Sequence, residues 1–249
     1  MTQLNDLDVE DVAAAVSAGR EVREHGPYKI QVGNENLEYQ PLVIADPVPT
    51  GQQVLEVAGL RPVDEYLLFQ MYANGHLELL SPSETTDLRQ AGIEKFLAFR
   101  NDRSFRFFID GRSQDWGAQR ISGRTLKQLA GVDPHKYEVY LVIPGEDAEL
   151  VDDRDLFDLA RRGVEHFAAV EINIKVFVNT LPTYVHSRYL SYWEVVHLAH
   201  PEAVPGPNSH FTVTYAKGFE GNSLTNLVDG QLVHIKKGMH FNVTPTDKS

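Results

Sequence analysis

The 249-residue sequence contains no cysteine. That removes disulfides, thiolate metal sites, thiol nucleophiles and any thioester carried on the chain's own side chains. Long apolar runs are missing as well, since no stretch approaches the roughly 18 residues of a membrane helix. The opening residues, Met1 to Asp11, are acidic and hold no apolar segment, so no secretory signal is expected and the cytoplasm is the default location. Positive charge is in short supply: 23 Lys and Arg face 35 Asp and Glu, a formal net charge of −12. Phosphate binding needs a clustered basic face, so a nucleic-acid partner is not expected and basic protein partners fit better. At 42% hydrophobic and 23% charged residues, the remainder reads as globular protein.

A short grammar recurs three times. Strand-like starts at Tyr28 to Val32, Phe105 to Ile109 and Ile174 to Val178 are each followed by turn chemistry: Gly33-Asn34, Asp110-Gly111 and Asn179-Thr180. These residue types suit a positive φ between two strands. Near the end of each unit, Gly92-Ile93-Glu94-Lys95-Phe96 matches Gly163-Val164-Glu165-His166-Phe167, and Gly238-Met239-His240-Phe241 is a weaker third copy. The three glycines fall 71 and 75 residues apart. Solenoid repeats run roughly 20 to 50 residues, whereas units this long can close small cores of their own. Separate domains strung along the chain are therefore the expected architecture.

Ahead of the repeats, Leu7, Val9, Val12, Ala13 and Val16 fall near helical spacing, with Asp8, Glu10 and Asp11 where the helix dipole favours acids. The pattern predicts a helix over roughly 6–24, ended by Gly19 or Gly26, either packed on the first unit or free to dock a partner. Within the units, Thr50, Ser122 and Ser191 stand as N-caps before helices, and Gly59 and Gly131 end the first two. A hairpin, a crossing helix and further strands make an α+β roll, and for about 70 residues the most economical such roll is a β-grasp. The division reads as a helical extension (1–26) and three β-grasp domains (27–103, 104–173, 174–249).

Thr50-Gly51-(x)3-Leu55-(x)2-Ala58-Gly59-(x)2-Pro62, the strand Tyr66 to Gln70, and Asp87-Leu88-(x)3-Gly92-(x)-Glu94-(x)-Phe96 resemble the bacterial multiubiquitin family of tandem ubiquitin-like β-grasp domains. The resemblance spans about residues 27 to 244 and is most specific in the first two units. It implies a protein modifier of a bacterial ubiquitination-like pathway. Its partners would be an ATP-dependent activating enzyme, a conjugating enzyme and a JAB-type metallopeptidase, and the family's usual company includes antiphage defence. The alternative is a non-conjugated scaffold or adaptor that assembles other proteins.

For a modifier the reactive handle is the carboxyl end, so Thr244, Pro245, Thr246, Asp247, Lys248 and Ser249 form the candidate conjugation tail. Counted from Asn242, eight extended residues reach roughly 25 Å. No paired glycines precede the end or occupy the junctions Arg100 to Arg103 and Ala169 to Asn173, so the tandem is expected to stay one polypeptide. No catalytic residue, cofactor or metal is expected. His197 and His200 share a helix face, but two ligands do not complete a tetrahedral site. Asp152, Asp153 and Asp155 read as a capping or solvated turn. Gly218 to Asn222 lacks the Lys and Ser or Thr of a phosphate loop and reads as a turn. Trp116 and Trp193, with Tyr189 and Tyr192, could anchor a partner, with core packing expected of at least Trp193.

Overall fold

The structure is a computed structural model that describes residues 9–90, 95–161, 163–206, 209–219 and 221–246. The chain begins with β1 (Glu10–Asp11) and α1 (Val12–Ser17). Next come β2 (Tyr28–Gly33), β3 (Tyr39–Ile44), α2 (Gly51–Val57), β4 (Tyr66–Met71), β5 (Leu77–Leu79) and β6 (Lys95–Arg100). The second repeat follows as β7 (Phe105–Ile109), β8 (Arg112–Trp116), β9 (Arg120–Ser122), α3 (Gly123–Ala130), β10 (Tyr137–Leu141), β11 (Glu149–Val151), β12 (Leu156–Asp158) and β13 (Glu165–Glu171). The third comprises β14 (Ile174–Val178), β15 (Leu181–Val185), β16 (Tyr189–Ser191), α4 (Tyr192–Ala199), β17 (Phe211–Ala216), β18 (Thr225–Leu227), β19 (Leu232–His234) and β20 (His240–Pro245).

Each repeat builds the same sheet. The orders are β3-β2-β6-β4-β5, β8-β7-β13-β10-β11 and β15-β14-β20-β17-β18. In every case the last strand lies in the middle, parallel to the first, so a single helix must carry the chain across the sheet. That is the β-grasp arrangement.

Local chemistry explains the shared plan. Asp110 and Gly111 take φ of 49° and 75°, and Asn179 and Thr180 take 46° and 72°, a two-residue turn whose twist matches the flanking strands. The first hairpin differs. Gly33 stays in β2, and Asn34 accepts from the Asn36 and Glu38 amides through its side chain, so the second strand starts only at Tyr39. All three helices are capped as expected, with reciprocal capping boxes at Thr50–Gln53 and Ser191–Glu194 and a simple cap at Ser122. Gly51 and Gly123 follow their caps where a Cβ would run into the carbonyls of Ser81 and Asp152.

The segment ahead of the repeats departs from expectation. Of the described residues 9–24 only Val12–Ser17 are helical, and Met1–Asp8 lie outside the described residues. Asp11 caps the helix by accepting from the Ala14 amide, and Gly19 at φ 65° ends it. The rest is spent otherwise: Glu10, 1% exposed, pairs in β1 with Tyr28 and is gripped by Arg20 and Arg23. A buried carboxylate must be paired, and the arginines reach it only if the chain turns back. Val12 joins the core of the first repeat.

The chain divides into two compact units, one of residues 1–132 with 139–169, the other of 133–138 with 170–249. In the first unit the repeats do not close separately. Register puts Phe96 on the helix side of β6 and Leu97 and Phe99 on the opposite face with Phe69. Those outward residues, with Leu77, share one buried cluster with Phe107, Trp116, Leu126 and Val139 of the second repeat. Phe99 meets Trp116 edge-on at 4.7 Å and Phe69 at 5.7 Å. Leu77 donates its amide to Gln114 Oε1, whose amide nitrogen donates to the Gly75 carbonyl. The second repeat is open at β8, and the outer sheet face of the first repeat closes it. Trp116 is thus fully buried, its indole N–H donating to the Arg120 carbonyl, while Trp193 packs against the core of the third repeat only partly buried.

In the second unit, Val176, Val178, Val195, Val196, Val213, Ile235, Met239 and Phe241 form one core. Tyr192 stands where the other repeats have glycine, and its hydroxyl donates to the Phe211 carbonyl.

Candidate functional site: the outer sheet faces and the chain end

In each sheet the helix-facing positions are filled, so surface chemistry is carried by the opposite face. At its centre, where the last strand runs parallel to the first, Lys95 pairs with Gln31, His166 with Phe108 and His240 with Phe177. All three repeats set a basic side chain on an aromatic ring there. Lys95 Nζ lies 5.7 Å from the Tyr39 centroid, His166 stacks on Phe108 at 4.7 Å, and His240 stacks on Phe177 at 4.8 Å.

The three faces differ in access. That of the first repeat is covered, because Phe69, Leu97 and Phe99 are buried against the second repeat. Tyr39 lies at its rim, its hydroxyl donating to Met71 Sδ, and burial pushes its phenol up to about 12. The second repeat exposes Val142 (45%), whose amide donates to the His166 carbonyl, and Leu150 (42%), opposite Tyr140 on the edge strand. The third has Tyr184 (57% exposed) and Lys175, whose Nζ is 5.5 Å from Phe177. Sequence reasoning did not find these positions. The signal was the aligned Lys95, His166 and His240, which gain meaning only when register shows what lies opposite.

The chain end is less free than its composition suggests. Thr244 and Pro245 belong to β20, paired with Thr212 and Phe211. Thr246 donates its amide to the His210 carbonyl, and its hydroxyl is 3.0 Å from that of Thr212. Of the eight residues from Asn242, five are therefore held at the sheet, which shortens the reach expected of the tail. Asp247, Lys248 and Ser249 lie outside the described residues.

Other groups fall into structural roles. His197 Nε2 is bonded to the Ala203 carbonyl, and His200 lies against the Phe211 ring. Asp153 pairs with Lys127, and Asp155 accepts from the Asp152 amide. The glycine segment after β17 is a turn bridged between Gly218 and Gly221. Among the described residues no group of three His, Asp or Glu could hold a metal, and no helix is long and apolar enough to cross a membrane.

Three sheets of one order, each crossed by one helix, define a tandem ubiquitin-like β-grasp protein. The sequence profile of the multiubiquitin family matches residues 36–101, 105–171 and 174–247. The chain belongs to that family. A search of the curated proteins returns no match.

Proposed function

We propose that this chain is a protein modifier, activated at its carboxyl end by an ATP-dependent enzyme, passed to a conjugating enzyme and trimmed or removed by a JAB-type metallopeptidase, in a bacterial ubiquitination-like pathway of the cytoplasm. The observation that carries this reading is family membership across all three sheets, with β20 leading the chain out of the middle of the third sheet. Partners would recognise an outer sheet face. The second repeat offers the more apolar surface, with Val142 and Phe108 next to His166 and Leu150 on the edge strand of the same sheet. An activating enzyme would take the residues after Thr246 and, for a deeper approach, peel Thr244 to Thr246 from His210 and Thr212.

The test is incubation of the full chain with ATP and its cognate activating enzyme, followed by intact mass. An adenylate or covalent transfer product is expected, lost when residues 247–249 are deleted, which leaves the pairing of Thr244 and Pro245 in the third sheet in place. Absence of any mass shift at saturating enzyme supports the second reading, a non-conjugated scaffold. That reading is favoured by one feature, the tying of Thr244 to Thr246 into the sheet.

A further inference from the structure

The ribbon of β16 and β19 carries an exposed feature that the fold does not require. Tyr189 lies opposite His234, with Leu190 and Val233 turned into the core. The Tyr189 and His234 rings stack at 4.7 Å and 18°, and Phe219, from the glycine turn, stacks on His234 at 4.2 Å and 19°. Two nearly parallel rings this close leave the imidazole sandwiched between them. Lys236 Nζ sits 5.6 Å from the Phe219 centroid. Tyr189 is 53% exposed, Phe219 58% and the neighbouring Leu232 67%. In the second repeat the same ribbon positions are Arg120 opposite Asp158, the polar pair expected of a solvated face. Stacking fixes the rotamers of the exposed rings in advance, which lowers the entropy cost of binding. Contiguous apolar groups of this kind mark interaction surfaces.

Charge indicates what would cover it. Residues 174–249 hold six Lys and Arg against five Asp and Glu, while residues 1–173 hold 17 against 30. The third repeat is the one part of the chain that is not acidic. In the first repeat, an open groove of about 540 Å³ between the β4–β5 hairpin and residues 80–90 is lined by Glu78, Glu84, Asp87, Tyr72 and Leu79, the last 47% exposed. The Ser81 amide holds Glu84 below the usual carboxylate range and the Arg89 guanidinium does the same for Asp87, so the groove is anionic at neutral pH.

We propose that the Tyr189–His234–Phe219 ribbon of one chain docks into this groove of a second copy. Lys236 and Lys237 would face Glu78 and Glu84, with Phe219 and Leu232 covering Leu79. The contact joins two different surfaces, so it is heterologous, and its population grows with concentration. It stands apart from the conjugation reading and needs no free carboxyl end.

Sedimentation velocity on the full chain, from about 10 to about 500 μM to suit an interface at the weak end of the range, tests it. The expected result is a weight-average mass rising above 28.0 kDa with concentration. Phe219→Ala, with an unchanged melting temperature, stays monomeric. Lys236→Glu with Lys237→Glu, and separately Glu78→Lys with Glu84→Lys, each abolish self-association, and mixing these two double variants restores it. A wild-type chain monomeric throughout, association that survives either charge reversal, or a mixture that fails to associate would overturn the proposal.

Discussion

The first and third repeats share a sheet order but use its outer surface in opposite ways. In the first, β6 places Leu97 and Phe99 outward and buries them under the second repeat. In the third, the equivalent strand places Asn242 and Thr244 there, both exposed. A β-grasp of this size can therefore spend its outer face on stabilising a neighbour or leave it open to a partner, and the alternating residues of the last strand decide which. The lesson is that repeat count and unit count need not agree.

Trp116→Ala tests the shared core most severely. Removing a fully buried Trp should cost about 3–5 kcal/mol, read as lost hydrogen-exchange protection in β6, β7 and β10, with β14 and β17 keeping theirs. Equal loss in all five strands would mean that the two units unfold as one. Next comes the helix start. Gly123→Ala drives a Cβ into the carbonyls of Val151 and Asp152, a backbone clash that cannot relax by rotamer change, and should destabilise by about 1–3 kcal/mol in denaturant unfolding. In the third repeat Tyr192 occupies that position without clash, so substitution there should show no such overpacking. A milder contrast lies at the caps: Ser191→Ala removes the hydroxyl that accepts from the Glu194 amide, while the Ser191 amide keeps its bond to Glu194 Oε2, and should cost about 1 kcal/mol, seen as a lower melting temperature.

The smallest effect is on pH dependence. Burial raises the Tyr39 phenol from its ordinary 10.0 to about 12, so the folded state keeps its proton where the unfolded chain has lost it. The stability this contributes is fully present below pH 10 and is lost as pH rises toward 12. Tyr39→Phe should flatten that alkaline decline. A phenolate absorbance near pH 10, without unfolding, that is present in the parent chain and missing from Tyr39→Phe would show the ring to be open to solvent.

Much of this was legible in the sequence because it is local. Asp110-Gly111 and Asn179-Thr180 specify their turns, and Thr50, Ser122 and Ser191 their caps, through contacts within a few residues. What was missed depends on distant partners. Arg20 and Arg23 read as part of a helix until Glu10 is seen buried beside them. Trp116 and Trp193 look alike until Phe99, 17 positions before the former, covers one of them. The aligned bases Lys95, His166 and His240 stood in plain view, but the rings beneath them come from other strands. Phe219 lies in a turn that was read as such, and only the fold brings His234 to it.

The closing of the second repeat by the first also fixes the valency of the molecule. A receptor reading the middle of an outer sheet face finds that of the first repeat closed, so any gain in avidity it draws from the tandem is at most that of a bivalent ligand.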